Sequence, residues 1–140
     1  MIYRNFQDIK LSGLGFGAMR MPVIGGDEGN IDEEKAFELI DRAIKGGINY
    51  YDTAFGYHSG NSEIVVGKAL SRYPRDSFYI STKFPGYDLS NMPRAKEIFE
   101  KQLEKTGMEY FDFYLFHNVC EMNIEQYLDP KYGIYDYLMG

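Results

Sequence analysis

The 140-residue sequence contains one cysteine and two histidines, and it has no tryptophan. With Cys120 as the sole thiol, the chain cannot form an internal disulfide, nor can it build a cysteine-ligated zinc or iron–sulfur site by itself. Such sparse cysteine usage fits a reducing compartment, and we expect a cytoplasmic protein. Long apolar runs are also missing, and the N-terminus lacks the basic-then-apolar pattern of a signal peptide. We therefore expect no membrane partner.

Basic residues are fewer than acidic residues in this sequence. Lys and Arg number 15 against 21 Asp and Glu, which gives a net charge of −6, and the acidic residues are scattered along the chain. A protein that binds nucleic acid irrespective of sequence needs a surplus of Lys and Arg, so we expect no nucleic-acid partner. This charge balance does not exclude a local basic site for one phosphorylated ligand. With 44% apolar and 16% aromatic residues, the chain can build the core of one domain.

The chain alternates strand-like and helical patterns. Loose alternation around a polar bend at residues 5–8 predicts a hairpin over residues 1–12. Four runs of β-forming residues follow, each succeeded by a helical pattern. The predicted strands are 14–19, 48–52, 77–83 and 110–117. The predicted helices begin after Asp32, after Asn61 or Ser62, and after Asn91, with weaker helical pieces at 123–128 and 132–139.

The predicted strands end at regular intervals. Their ends, at Ala18, Asp52, Lys83 and His117, are separated by 34, 31 and 34 residues. A (β/α)8 TIM barrel uses about 31 residues per unit. The predicted fold class is therefore α/β, with an N-terminal hairpin and the first four β/α units of such a barrel in residues 13–140. An open doubly wound sheet gives similar spacing, so periodicity alone does not separate the two folds.

Three of the predicted strands finish on ionisable residues, namely Asp52, Lys83 and His117. The carboxyl ends of parallel strands form the edge where α/β enzymes place their sites. Tyr57 lies five residues after Asp52, in a loop that can fold back over the same edge. We therefore expect a carboxylate, a phenol, an ammonium and an imidazole on one face.

This set of groups suits the reduction of a carbonyl. When hydride reaches the carbonyl carbon, negative charge builds on the oxygen and must be met by a proton donor. Tyr57 would donate the proton and Lys83 would stabilise the resulting phenolate, while Asp52 holds Lys83 in place. His117 would orient the carbonyl oxygen or share the proton. Since none of these groups carries a hydride, a nicotinamide cofactor is implied.

Taken singly, these residues have plainer interpretations. An aspartate at a strand end is usually a turn or cap residue, and a buried histidine such as His117 is often a satisfied core residue. His58 lies in a loop of small residues, where we expect it to be exposed and inert. Only the conjunction of four residues at matching spacing indicates catalysis.

Several stretches of the chain resemble the aldo-keto reductase family. The matching stretches are LGFGAMRMP (14–22), GINYYDTAFGY (47–57), GNSE (60–63), STK (81–83) and YFDFYLFH (110–117). The resemblance implies a TIM barrel whose catalytic tetrad is Asp52, Tyr57, Lys83 and His117, with a small aldehyde or ketone as substrate. It also implies the cofactor NADP(H), with contacts from this chain near Met19, Arg20 and Asp52.

The chain looks most like the bacterial and archaeal branch of the family, which often carries a C-terminal ferredoxin-like extension. Iron–sulfur clusters would lie only in such an extension. Family members are full barrels that hold the cofactor mainly with their last units, so we expect this chain to be a half-barrel that is inactive alone. The alternative is a catalytically silent half-barrel that acts as an assembly or interaction module. In either case we expect the isolated chain to self-associate through its open sheet edges.

Overall fold

The computed structural model describes residues 1–139, which form six strands and five α-helices. The strands are β1 (Tyr3–Phe6), β2 (Ile9–Ser12), β3 (Phe16–Gly17), β4 (Tyr50–Asp52), β5 (Tyr79–Phe84) and β6 (Phe113–Phe116). The helices are α1 (Glu33–Lys45), α2 (Ser62–Leu70), α3 (Ala95–Thr106), α4 (Ile124–Leu128) and α5 (Ile134–Met139). Short 3-10 turns occupy Ala18–Arg20, Tyr57–Gly60, Arg75–Ser77 and Leu89–Arg94.

Strands β3 to β6 form one parallel sheet in the order β3-β4-β5-β6, and β1 and β2 form the separate predicted hairpin. Helices α1 and α2 cover one face of this sheet, where Ile40 and Val66 join Tyr51 and Ile80 in a buried cluster. The opposite face is the inner face of a barrel, and it carries Ser81, among other residues. The α/β prediction is confirmed, with four β/α units arranged as in half of a TIM barrel.

The helices begin and end largely where the sequence indicates. Asp32 caps α1 by accepting a hydrogen bond from the Lys35 amide at 3.2 Å. Gly67 lets α2 and α3 approach closely, because a Cβ at this position would lie 2.2 Å from the Thr106 carbonyl oxygen. The predicted start of α3 was wrong. Asn91 lies inside the preceding 3-10 turn, since Pro93 disfavours α geometry in the residue before it and donates no backbone hydrogen bond.

Two strands differ from their predicted form. Strand β3 is only two residues long, and the rest of the apolar run continues into the 3-10 turn Ala18–Arg20, because glycine weakens strand interiors. Strand β6 was expected to be buried on both faces. It is only partly buried, with Leu115 41% exposed, because it is an edge strand that pairs with β5 alone.

The hairpin closes one end of the sheet and leaves the other open. The Asn49 side chain accepts from the Ser12 amide at 2.8 Å and donates to the Lys10 carbonyl at 2.9 Å, which ties β2 to the start of β4. Phe6 packs edge-on against Phe113 on the inner face. The carboxyl ends of the strands therefore face away from the hairpin. Within residues 1–139, no helix combines the length and apolar character needed to cross a bilayer.

Candidate active site

The four predicted catalytic residues lie together at the open end of the sheet. Asp52 is the last residue of β4, Lys83 is the penultimate residue of β5, and His117 directly follows β6. Tyr57 begins the 3-10 turn between β4 and α2. Three strand ends and one connecting turn thus contribute one side chain each.

The ammonium of Lys83 is the centre of this group. It donates hydrogen bonds to Asp52 Oδ2 at 2.7 Å, to the Thr53 carbonyl at 2.8 Å and to the Tyr57 hydroxyl oxygen at 3.1 Å. These three bonds use all three N–H groups of an ammonium. Only 13% of the Lys83 side chain is exposed, so this charge depends on its protein partners more than on water.

Asp52 is held at both carboxylate oxygens. While Oδ2 accepts from Lys83, Oδ1 accepts from the Ser81 hydroxyl at 2.6 Å. Ser81 is fully buried and is the register partner of Asp52 across β4 and β5. Sequence reasoning missed Ser81, yet the two-residue period of a strand places it on the same face as Lys83.

Tyr57 and His117 face each other with their rings nearly perpendicular, at 5.8 Å between centroids. Burial lowers the pKa of His117 below its usual value, and the charge of Lys83 lowers it further, while Asp52 opposes the shift. The neutral imidazole is therefore favoured at neutral pH. Its Nδ1 atom is buried and finds no hydrogen-bond partner in the part of the chain that the structure describes.

Tyr87, in the loop after β5, forms one side of the site and was not predicted from the sequence. Its ring lies edge-on to His117 at 5.1 Å between centroids. Its hydroxyl also approaches Gly56 so closely that a Cβ there would lie 2.6 Å away. The ring is 48% exposed, so it borders the open end of the site. Burial, followed by the charge of Asp88, raises the pKa of Tyr87 and keeps its phenol neutral.

A buried polar network supports Lys83 from the outer face of the sheet. The Gln102 amide on α3 donates to the Lys83 carbonyl at 2.9 Å and accepts from the Tyr114 hydroxyl at 2.6 Å. Next to Lys83, the Thr82 hydroxyl donates to Glu63 at 2.9 Å. Glu63 is fully buried and pairs with Lys105 at 2.9 Å. The backbone that carries Lys83 is therefore fixed between α2 and α3.

The residues expected to contact a cofactor lie at the same open end. Met19 and Arg20 are exposed in the 3-10 turn that follows β3, the neighbour of β4. The expectation that His58 is exposed was wrong. It is 4% exposed, because its ring packs into the turn and bonds to the segment that follows Arg20.

Comparison with known proteins gives a consistent result. A family model described as the Aldo/keto reductase family matches residues 13–127. The chain is 32% identical over 130 residues to the NADH-specific methylglyoxal reductase of Escherichia coli K12, covering 79% of this chain and 39% of that protein. The chain spans only about a third to two fifths of the length of the curated relatives it matches.

Solved structures agree with this match. The holo form of an aldo-keto reductase from Bacillus halodurans aligns with a TM-score of 0.67 and 31% identity, covering 82% of this chain and 40% of that one. An aldo-keto reductase from Klebsiella pneumoniae in complex with NADPH aligns with a TM-score of 0.65 over 84% of this chain and 40% of that one. Its identity of 23% makes that similarity one of fold alone.

Proposed function

The chain belongs to the aldo/keto reductase family, and we propose that its site, within a complete barrel, reduces small aldehydes or ketones to alcohols with Tyr57 as the proton donor. The observation that carries this proposal is the bonding of Lys83. Because the ammonium donates to the Tyr57 oxygen, the phenolic proton is free to point elsewhere, toward a substrate carbonyl.

The remaining residues have roles that follow from their contacts. As Tyr57 gives up its proton, the phenolate forms 3.1 Å from a positive charge that Asp52 and the Thr53 carbonyl hold in place. The neutral imidazole of His117, beside the Tyr57 ring, is suited to donate a hydrogen bond to the carbonyl oxygen. Both donors then converge on the oxygen where negative charge develops.

We propose NAD(P)H as the cofactor, which would supply the hydride when bound. In relatives the cofactor is NADH or NADPH by name, as in the E. coli reductase and the K. pneumoniae complex. Met19, Arg20 and Asp52 are the residues of this chain that we propose to contact it. The matched part of this chain covers only 34% and 39% of two of these relatives, so we assign most of the cofactor site to barrel units outside these 140 residues. A reducing cytoplasm suits the exposed, free Cys120.

The Tyr57→Phe variant of the full-length enzyme tests this function. It keeps the ring and its packing on His117 but removes the proton, so turnover should fall by about 10²- to 10⁴-fold while cofactor affinity changes little. Tyr73→Phe is the matched control, because the Tyr73 hydroxyl is also hydrogen-bonded to a charged side chain, the Asp41 carboxylate, but outside the site. If Tyr57→Phe turned over aldehydes as fast as Tyr73→Phe, the proposed role of Tyr57 would be refuted.

A second candidate function is assembly through the open edge of the sheet. The observation that favours it is an apolar groove of about 620 Å³ beside β6. Aromatic residues line much of it, including Phe99, Phe111, Phe116 and Tyr137. Such a surface next to an unpaired strand edge favours pairing with another chain. We expect the isolated 140-residue chain to self-associate in analytical ultracentrifugation, without binding NADPH in a fluorescence titration. A single monomeric species would argue against it.

A further inference from the structure

The imidazole of His58 joins two parts of the chain at the site. Its Nε2 atom accepts a hydrogen bond from the Met21 amide at 2.9 Å, and its Nδ1 atom lies 2.8 Å from the Glu28 carbonyl oxygen. Because Nε2 accepts, Nδ1 must carry the ring proton and donate it to Glu28. The ring is therefore neutral, and its side chain is fully buried.

This bridge fixes the segment that carries Met19 and Arg20 to the turn that carries Tyr57. Two neighbouring contacts support the bridge. The Asn61 amide donates to the Gly29 carbonyl at 2.6 Å, and the Ser62 hydroxyl donates to the Ala18 carbonyl at 3.1 Å. His58 bonds to both ends of the intervening stretch, residues 21–28, at the Met21 amide and the Glu28 carbonyl.

The backbone of the turn needs such support. His58 and Ser59 both adopt left-handed conformations, with φ of 52° and 55°. Residues other than glycine persist in this region only where their surroundings enforce it. These two residues directly follow Tyr57, so the conformation they keep contributes to where its hydroxyl lies. In the observed conformation that hydroxyl is 3.1 Å from Lys83 Nζ.

We propose that His58 is a positioning residue of the active site. Its neutral imidazole holds the turn in the strained conformation that brings the Tyr57 hydroxyl to Lys83, and it fixes the segment of Met19 and Arg20 beside them. The importance of this placement for turnover rests on the proposed function, whereas the placement itself does not. A spectroscopic measurement tests the placement, and a kinetic measurement tests its importance for turnover.

The spectroscopic test uses the chain labelled with ¹³Cζ-tyrosine, in which the Tyr57 signal is assigned by its loss in Tyr57→Phe. In the otherwise unmodified chain, Lys83→Met should shift this signal, because it removes the hydrogen bond to the hydroxyl. In His58→Phe, which keeps a ring but neither bond, Lys83→Met should cause no further shift. Lys83→Met should likewise cause no further shift in His58→Asn. Asparagine favours the left-handed backbone but is too short to bridge, so this variant serves where His58→Phe does not fold.

Asn49→Ala is the matched control, because Asn49 also bridges two backbone groups of another segment, at the opposite end of β4. Its loss should leave the response of Tyr57 to Lys83→Met intact. A persistent response in His58→Asn or His58→Phe would overturn the proposal. So would a ¹⁵N-histidine spectrum in which the His58 signal, assigned by its loss in His58→Asn, shows the proton on Nε2.

The kinetic arm uses the full-length enzyme. His58→Asn should lower kcat by up to ~10²-fold, the loss expected for a misplaced reacting group, whereas Asn49→Ala should not. Loss of the Tyr57 response with unchanged kcat would support the positioning role and refute Tyr57 as the proton donor. Unchanged kcat with an intact Tyr57 response would overturn the positioning role.

Discussion

Two lysines of the chain form ion pairs of the same length in different surroundings. Lys105 and Lys68 each lie 2.9 Å from a glutamate oxygen, of Glu63 and Glu33 respectively. The Lys105 and Glu63 side chains are 13% and 0% exposed, whereas those of Lys68 and Glu33 are 56% and 48% exposed. Because the nitrogen–oxygen distance is the same in both ion pairs, substituting each lysine in turn isolates the effect of burial on the free energy of unfolding.

We expect Lys105→Met to lower the free energy of unfolding by about 3–5 kcal/mol, because it leaves a buried carboxylate whose one remaining donor within residues 1–139 is Thr82. Methionine keeps most of the aliphatic stem, so little packing is lost. Lys68→Met should cost no more than about 1 kcal/mol, since water solvates the Glu33 carboxylate once the lysine is gone. Urea unfolding followed by far-UV circular dichroism measures both.

The double variant Glu63→Gln with Lys105→Met separates the pair from its surroundings. The glutamine oxygen still accepts from Thr82, and no charge remains buried, so this variant should recover a large part of the loss. Equal losses for Lys105→Met and Lys68→Met would refute the reasoning, and so would a double variant no more stable than Lys105→Met. Either result would mean that Glu63 gains solvent or another partner when Lys105 is removed.

Two further predictions concern packing and pH. Gly67→Ala should destabilise the chain by about 1–3 kcal/mol despite the better helix propensity of alanine, because the new Cβ would lie 2.2 Å from the Thr106 backbone. Gly17→Ala is the control in the same unfolding assay, because a Cβ at that position meets no atom within 4 Å. The lowered pKa of His117 means that the unfolded chain binds a proton more readily than the folded one. Stability should therefore fall as pH drops below the ordinary histidine pKa of ~6.5, and His117→Phe should remove that part of the loss in unfolding curves measured across this range.

The position of the site could be predicted because it depends on strand ends. Asp52, Lys83 and His117 each close an apolar or β-branched run, and parallel strands bring such ends to one edge whatever the helices do. Ser81 could have been predicted by the same reasoning, because alternate residues of β5, Ser81 among them, share a face with Lys83. Tyr87 was not, because its contact with Gly56 depends on the path of a loop that has no sequence period.

His58 shows why loop composition misleads. The glycine, serine and asparagine around it indicate a turn, and turns usually lie on the surface. Here a second loop, residues 21–31, lies against the turn, and its backbone groups that face the turn need partners there. The imidazole satisfies two of them, at Met21 and Glu28. A pairing between two loops leaves no local pattern in either sequence, so only the structure could reveal it.

The same geometry divides the proposed chemistry into two separable parts. Every group that we propose to handle the proton lies between Asp52 and His117, and the bonds of Lys83 to Asp52, Thr53 and Tyr57 are all made within the chain. These bonds need no cofactor to form, so the proton-donating arrangement can be probed in the 140-residue chain even where it turns over no substrate.

The inner face of β6, by contrast, is incompletely buried in this chain, because Leu115, the register partner of Lys83, is 41% exposed. Added barrel units would cover that face and remove the remaining water near Lys83, and the lower dielectric would strengthen the attraction between its ammonium and the Tyr57 phenolate.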